Sequence, residues 1–138
     1  MITQKYLNEL SHLIIGAAIE VHKELGPGLL ESIYERCLGH VLIEEGVLIT
    51  SQQRVPLIFK GLDLECDLRF DLLVDNLIIV EVKAVERLMP IHEAQLLTYL
   101  KLLQKPKGIL INFNSTNIFK EGQKTMVNQF YASLPSGY

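Results

Sequence analysis

The sequence predicts an α/β (α+β) fold in which a mixed β-sheet is flanked by helices, in the order α-α-β-β-β-α-β. Three observations indicate this order. Apolar residues recur at helical spacing through residues 3–45, they alternate with polar residues from Val55 to Val74, and helical spacing returns after Pro90. The short apolar run from Gly108 to Ile111 is typical of a strand that is covered on both faces.

Two helices are expected at the start of the chain. The first extends from about Thr3 to Glu24, and Gly26-Pro27-Gly28 ends it. The second extends from Leu29 to about Glu45, and Gly46 follows its last turn. The chain is then expected to enter the sheet, because the hydrophobic period changes from helical to two.

A β-hairpin with Lys60-Gly61 as its turn is predicted next. A two-residue loop at this position pairs Phe59 with Leu62, which places the neighbouring apolar side chains on one face. Pro56 indicates that the first strand begins there or lies at an edge of the sheet, since proline cannot donate a main-chain hydrogen bond.

The remaining elements are a strand over residues 67–75, a strand over residues 77–85, a helix over about residues 91–104 and the apolar run named above. The buried stripe of this later helix is expected to consist of four leucines: Leu96, Leu97, Leu100 and Leu103. The tail from Asn114 fits either a hairpin or a last helix.

Composition indicates one globular domain over residues 1–138, with 49% hydrophobic and 21% charged residues. No apolar run approaches the roughly 18–20 residues that span a bilayer, and no signal peptide is recognised. Cys37 and Cys66 lie in apolar patterns, so reduced thiols and a cytoplasmic location are expected. The net charge of −3 offers nucleic acid no general attraction, and any such binding must rest on a local patch or on metal ions.

Two acidic residues in neighbouring strands, Asp71 and Glu81, occupy odd positions, whereas the apolar residues around them are even-numbered. Opposed residues of an antiparallel pair point to the same face. A three-residue loop at residues 75–77 pairs Val74 with Ile78. That register places Asp71 opposite Glu81, whereas a two-residue turn sends them to opposite faces. The apolar pattern independently requires that the numbers of paired residues have an even sum, so an odd-length loop or a bulge is predicted here.

The same register places Arg69 opposite Lys83. Two carboxylates about 4–5 Å apart repel by on the order of 3–4 kcal/mol at an effective dielectric constant of about 20. The pair is tolerated if one acid is protonated, if Lys83 and Arg69 neutralise it, or if a hard divalent cation such as Mg²⁺ lies between the acids. An exposed strand face with ordinary surface charges explains the same pattern.

A third acid comes from the second helix. Counting 100° per residue, Glu31 lies in the arc that also carries Tyr34 and Leu38 and that faces the core, where a glutamate needs a partner. A first-turn acid favoured by the helix dipole is the competing interpretation. Gln95 and Tyr99 share one face of the later helix, and polar residues on a solvated side explain them equally well.

Basic residues and histidines add little. Five basic residues form either a rim beside the acids or ordinary solubilising charge: Arg69, Arg87, Lys101, Lys105 and Lys107. The histidines show no zinc spacing, and His92 is placed either at the border of the site or at an exposed helix start.

These residues together form an ordered set of motifs. The set comprises Gly28-Leu-Leu-Glu31-Ser-Ile-Tyr34 (GxxExxY), Asp71, Glu81-Val82-Lys83, Gln95-Leu-Leu-Thr-Tyr99 and Gly108-Ile-Leu-Ile-Asn-Phe113. From about Leu13 to Phe113 the sequence resembles the GxxExxY protein family, a branch of the PD-(D/E)XK nuclease-like superfamily. Phe70 stands where the superfamily's name implies a proline, a substitution that removes no ligand.

The resemblance implies a restriction-endonuclease-like αβββαβ core, with a mixed four-stranded sheet and an extra N-terminal helix, and metal-dependent hydrolysis of phosphodiester bonds. It implies that Asp71, Glu81 and the Val82 carbonyl hold Mg²⁺ or Mn²⁺, and that Glu31 binds the ion or orients a water on it.

By the same resemblance Lys83 would position or activate the attacking water and stabilise charge in the transition state. Gln95 and Tyr99 would support the site or contact the nucleic-acid backbone.

Three functions follow from these expectations. The leading one is a nuclease acting on DNA or RNA. The second is a binding module that keeps the fold and the metal within a complex, with a protein partner or as a homodimer. The third is a structural domain whose acidic cluster is relieved by Lys83 and Arg69.

Overall fold

The computed structural model describes residues 1–138. Two helices, α1 (Gln4–Leu25) and α2 (Glu31–Glu44), precede a mixed five-stranded sheet. Its strands are β1 (Ile49–Ser51), β4 (Leu72–Val74), β5 (Ile78–Lys83), β6 (Lys107–Asn112) and β7 (Gln123–Val127), paired in that order. The other elements are β2 (Ile58–Phe59), β3 (Leu62–Asp63), α3 (Pro90–Leu103), α4 (Ile118–Glu121) and α5 (Gln129–Ala132).

The sheet is mixed because β5 and β6 are parallel whereas every other neighbouring pair is antiparallel. The helix α3 connects β5 to β6, as a crossover between parallel strands requires. All residues of β6, and all of β5 except the half-buried Lys83, are buried. The predicted α+β class, with a mixed sheet flanked by helices, is therefore confirmed.

The two faces of the sheet bury two separate cores. Even-numbered residues of β4 and β5 pack with α1 and α2, whereas odd-numbered residues such as Leu73 and Ile79 pack with α3. In α3 the residues that face this second core are Leu96, Tyr99 and Leu100. Leu97 was wrongly included in the buried stripe, because it lies about 100° around the helix from Leu96 and remains 37% exposed.

Local hydrogen bonds and a glycine define both ends of α1 and its connection to α2. The Thr3 side chain caps α1 by accepting a hydrogen bond from the Tyr6 N–H (3.1 Å), and Gly26, at φ 69°, ends the helix. The buried Tyr34 hydroxyl donates to the Gly26 carbonyl (2.6 Å) and accepts from the Leu29 N–H (3.0 Å), which fixes the connection from α1 to α2.

No helix combines the length and the apolar character needed to cross a membrane.

The predicted hairpin forms but does not join the main sheet. Phe59 pairs with Leu62 as predicted, and β2 and β3 make a separate two-stranded sheet. Its apolar face is exposed to solvent, including Phe59 at 61% and also Leu62 and Leu64. The strand that pairs with β4 is instead β1, which the periodicity did not predict, and the strand expected over residues 67–75 is limited to Leu72–Val74.

The tail forms no hairpin of its own and instead places one strand between two short helices. It forms the short helix α4, the strand β7 and the short helix α5. Because β7 pairs antiparallel with β6 at the far edge, the sheet has five strands where four were expected.

Candidate active site

The acids of β4 and β5 face each other at the point where the two strands separate. The ladder pairs Val74 with Ile78 and Leu72 with Val80, which is the predicted register, and Asp71 follows opposite Glu81. The loop has the predicted length, with Asp75 and Asn76 both in the left-handed region at φ 52° and 59°.

Where β4 and β5 separate, side-chain carboxylates accept the hydrogen bonds of main-chain N–H groups that carbonyls accept within the ladder. The Glu81 Oε1 accepts a hydrogen bond from the Asp71 N–H (2.9 Å), and the Asp71 Oδ2 accepts one from the Val82 N–H (2.7 Å). Each carboxylate is therefore held by the main chain of the opposite strand, and both are fixed at the end of β5.

Burial makes this site electrostatically costly. Glu81 is only 4% exposed, and burial together with the charge of Asp71 raises its pKa from 4.5 to about 8. The Lys83 ammonium lies 3.9 Å from the Glu81 Oε2 and offsets part of this shift. A metal-free site is thus expected to retain a proton on Glu81 at neutral pH.

A carboxylate of α2 that the sequence analysis missed, Glu35, also reaches this cluster. The Gln52 amide donates to the Glu35 Oε1 (2.5 Å) and to the Asp71 Oδ1 (3.3 Å) and thereby joins the two acids. Burial, followed by the charge of Asp71, raises the pKa of Glu35 to about 7. The sequence feature that could have identified Glu35 is its position four residues after Glu31, on the same side of the helix.

Glu31 approaches the end of β5 from the first turn of α2. Its Oε2 accepts a hydrogen bond from the Ala84 N–H (3.0 Å), one residue after Lys83. The side chain is exposed, so its predicted place in the core-facing arc was wrong. As the first residue of α2, Glu31 extends beyond the packed part of the helix and contacts the chain that leaves β5.

Arg69 does not take the place expected for it. The β4–β5 ladder ends before residue 69, and Arg69 instead forms an isolated bridge with Arg54. Its side chain donates to Asp67 (2.9 Å) and to the Gln52 carbonyl (3.0 Å). The expected opposition to Lys83 is therefore wrong, and Lys83 is the cation that contacts Glu81.

Tyr99 lies under the acids on the α3 face of the sheet. It is 6% exposed, and burial, followed by the charges of Glu81 and Asp71, raises its pKa, while a hydrogen bond from Gln95 acts in the opposite direction. Gln95 itself is exposed. The solvated-side interpretation is thus wrong for Tyr99, and α3 places this residue beside both carboxylates.

The end of β6 fixes the chain that follows Lys83. The Asn112 side chain accepts from the Val85 N–H (3.0 Å) and donates to the Val85 carbonyl (2.9 Å), and the Phe113 N–H donates to the Lys83 carbonyl (2.8 Å). The Phe113 ring stacks on Tyr34, with ring centroids 4.5 Å apart. The GxxExxY segment and the Asn112-Phe113 segment therefore support the same end of β5.

Two residues of the possible basic rim, Lys105 and Lys107, lie away from this end of the sheet. Lys105 donates to Asn76 (3.1 Å) in the loop before β5, and the buried Lys107 donates to Asn8 (2.8 Å) on α1. Both lysines lie at the end of the sheet where the parallel strands β5 and β6 begin. Glu81 and Lys83 lie at the opposite end, where β5 ends.

The acids suit a hard divalent cation in chemistry, although no three His, Cys, Asp or Glu side chains are spaced as a complete metal site. Mg²⁺ commonly binds through one or two carboxylates and keeps several waters. Asp71 and Glu81 provide two carboxylates. Burial and the charge of Asp71 disfavour the ionised form of Glu81 and so raise its pKa, and a bound cation would stabilise that ionised form. The Val82 carbonyl points toward Asp71, because the N–H and C=O of a strand residue face the same neighbour and the Val82 N–H bonds to Asp71.

Comparisons with known proteins give one match. The family model of the PD-(D/E)XK nuclease superfamily matches residues 8–126, a span that includes all the side chains of the cluster. Nothing among the curated proteins or the solved structures matches the chain. The matched span is most of the sequence, and the fold is consistent with a restriction-endonuclease-like core. The chain therefore belongs to the PD-(D/E)XK nuclease superfamily.

Proposed function

We propose that this protein is a divalent-metal-dependent nuclease of the GxxExxY branch, formed by a single domain and hydrolysing phosphodiester bonds of DNA or RNA. The observation that carries the proposal is the opposition of Asp71 and Glu81 at the end of β5, with Lys83 beside them. Membership of the superfamily supports the reaction class, because its nucleases generally use divalent metal ions.

Asp71, Glu81 and the Val82 carbonyl would hold Mg²⁺ or Mn²⁺. When bound, the ion would lower the pKa of a coordinated water and shield the negative charge of the phosphate. Glu31 and Glu35 would accept hydrogen bonds from waters at the site, because both approach the end of β5 from α2. Glu35 would hold a proton more readily than an ordinary carboxyl at neutral pH, since its pKa is raised to about 7.

Lys83 would position the attacking water and place fixed positive charge beside the phosphate. Two contacts support the position of Lys83. Its ammonium lies beside Glu81, and its main-chain carbonyl accepts a hydrogen bond from the Phe113 N–H. Tyr99 would support Glu81 from below, and the exposed Gln95 would contact the nucleic-acid backbone.

The overall charge of −3 limits how the substrate is bound. Affinity for a polyanion ordinarily depends on many Lys and Arg contacts. Arg87 is exposed in the segment that follows β5 and is available for such a contact. A bound cation would supply much of the local positive charge, so both binding and cleavage are expected to depend on it.

A non-catalytic binding module that keeps the nuclease fold is the second candidate. It is favoured by the hydrogen bonds that already satisfy Asp71, Glu81 and Glu31 through main-chain N–H groups. Such bonds stabilise the fold without any metal. In this case the chain would act through a nucleic-acid or protein partner, or as a homodimer.

The test combines calorimetric titration with Mg²⁺ or Mn²⁺ and a cleavage screen on single-stranded, double-stranded and structured DNA and RNA. We expect binding and cleavage in the native protein and the loss of both in Asp71→Asn. Asp67→Asn is the matched control, because Asp67 is exposed and paired with Arg69 outside the cluster. Metal binding without cleavage of any substrate would support the binding module, and the absence of metal binding would exclude the nuclease.

A further inference from the structure

A second polar cavity extends along the sheet from Lys107, at the end opposite to the candidate active site, to Gln123, which pairs with Ile111. It has a volume of about 470 Å³ and opens beside α1, the start of β6 and the strand β7. Lys107 at its wall pairs with Ile78, the first residue of β5, whereas Lys83 is the last residue of β5. Five residues of β5, roughly 17 Å, therefore separate the level of Lys107 from Lys83.

The Lys107 side chain is a buried cation without a counter-ion. It is 4% exposed and takes part in none of the five ion pairs of the molecule. Its ammonium donates a hydrogen bond to the Asn8 Oδ1 (2.8 Å) and lies 5.6 Å from the centre of the Tyr131 ring. An ammonium has three N–H donors, and one neutral acceptor satisfies only part of that capacity.

The neutral partner is held firmly in place. The Asn8 amide donates to the Tyr138 hydroxyl (3.1 Å), and its Oδ1 also accepts from the Tyr131 hydroxyl (3.2 Å). These bonds orient the amide oxygen of Asn8 toward Lys107. A neutral oxygen thus occupies the position where a carboxylate would ordinarily neutralise a buried lysine.

The wall of the cavity carries a positive charge although the protein is acidic. Lys107 lines the cavity, whereas no aspartate or glutamate does. Hydroxyl and amide groups complete its polar surface, and the side chains of Ile15, Ile19 and Phe119 provide an apolar wall. Such a combination is typical of a site that binds the charged group of a small molecule and covers its apolar part.

We propose that this cavity binds a small organic molecule through an anionic oxygen group, phosphate or carboxylate, for which Lys107 supplies the counter-charge. Lysine binds phosphate groups as a point charge, and the surrounding hydroxyls supply further hydrogen bonds. The site is independent of the proposed nuclease centre, because it shares no residue with the acidic cluster at the end of β5.

Three probes at constant ionic strength test the proposal: inorganic phosphate, adenosine 5′-monophosphate and acetate. EDTA is present throughout, so that no divalent metal contributes. We expect saturable binding of at least one probe, measured by amide chemical-shift changes around the cavity and by a rise in the thermal midpoint. Binding of phosphate and the nucleotide indicates a phosphate ligand, and binding of acetate alone indicates a carboxylate. The absence of saturable binding for all three overturns the proposal.

Two variants separate a specific site from a general charge effect. Lys107→Met is expected to weaken binding at least tenfold, whereas Lys101→Met, at an exposed lysine of α3, retains it. Asn8→Asp supplies an internal counter-ion without changing side-chain size, so it is expected to abolish probe binding in a folded and more stable protein. This second variant decides the result even if Lys107→Met does not fold. Binding that persists in Asn8→Asp contradicts the proposal.

The same titrations on Asp71→Asn distinguish this proposal from the nuclease proposal. We expect the probes to bind Asp71→Asn as they bind the native protein, because Asp71 lies at the other end of the sheet. Loss of probe binding in that variant would instead assign the anion to the nuclease centre and would overturn the separate site.

Discussion

Hydrogen bonds link Asp71 and Glu81 across two diverging strands. The Glu81 carboxylate accepts from the Asp71 N–H at 2.9 Å, and the Asp71 carboxylate accepts from the Val82 N–H at 2.7 Å. Each acid therefore completes the hydrogen bonding of the strand opposite to it. The arrangement fixes two carboxyl groups at one place, and the energetic cost of charging both depends on protonation and on any cation bound there.

The first prediction concerns the pH dependence of stability. The pKa of Glu81 is raised from 4.5 to about 8, so the folded protein binds this proton more tightly than the unfolded chain does. The resulting stabilisation is complete below the unfolded pKa and is lost as the pH rises through the folded pKa. From about pH 5 to about pH 8 we expect the unfolding free energy of the metal-free protein to fall by on the order of 3 kcal/mol through this group.

Glu81→Gln measures this contribution directly, because glutamine imitates the protonated acid. Denaturant unfolding at several pH values in EDTA should show the decline in the native protein and a flatter profile in the variant. Equal slopes for the two proteins would show that Glu81 ionises normally. Saturating Mg²⁺ is expected to reduce the decline in the native protein only.

The second prediction concerns Glu35, whose charge adds to that of Asp71. Glu35→Gln removes one negative charge from the cluster and keeps an acceptor for Gln52. We expect the metal-free variant to be more stable than the native protein at about pH 8, and its Mg²⁺ affinity to be several-fold weaker. Unfolding curves and calorimetric titration measure the two effects.

Glu44→Gln is the control for Glu35→Gln, since Glu44 lies exposed on the same helix and pairs with His40. It should leave both quantities unchanged. If Glu35→Gln and Glu44→Gln give the same stability and the same metal affinity, then Glu35 has no part in the cluster.

The third prediction concerns Lys83. Lys83→Ala removes the cation beside Glu81 and is expected to lower the cleavage rate by about 10²–10³-fold, because fixed positive charge near the reacting phosphate is lost. The measurement is the single-turnover cleavage rate of a labelled substrate found in the screen. Lys101→Ala removes an exposed lysine from α3 and should leave the rate within a few-fold of native. Circular dichroism and metal titration establish that Lys83→Ala still folds and binds the ion; native-like cleavage by that variant would exclude the role.

The fourth prediction concerns the packing of α3 on the sheet. A Cβ at Gly108 would lie 2.8 Å from the Leu96 Cδ1, so Gly108→Ala is expected to destabilise the protein by about 1–3 kcal/mol. Gly39 lies within α2 with only the Leu72 Cδ2 at 3.8 Å, and Gly39→Ala should stabilise by about 0.5–1 kcal/mol through helix propensity. Thermal or denaturant unfolding measures both; changes of the same sign would contradict the described packing.

The register of the site is the feature that the sequence predicted in most detail. A slip of one residue would move every side chain of a strand to the opposite face of the sheet. The even-numbered apolar residues of β4 and β5 therefore fixed the three-residue loop, and with it the opposition of Asp71 and Glu81. The helix positions followed equally well, since the 3.6-residue period and the Gly26 and Gly46 signals are local.

The errors occurred where position depends on how elements pack together. The hairpin has the predicted pairing, yet it projects from the sheet with Phe59 exposed, because β1 takes the place beside β4. Periodicity identifies an apolar face but cannot state what covers it. In the same way, Leu97 satisfied the leucine pattern of α3 whereas Tyr99 occupies the buried position.

The sequence by itself determined the class of fold, the order of most elements and the pairing of the two strand acids, because all three depend on local periods and on parity. Only the tertiary structure brought Glu35 to Asp71, moved Glu31 to the solvent-exposed end of β5, and separated Lys107 from the acidic cluster. The physical reason is that these relations depend on the placement of α1 and α2 against the sheet and on the point where β4 diverges from β5. No local pattern in the chain encodes those distances.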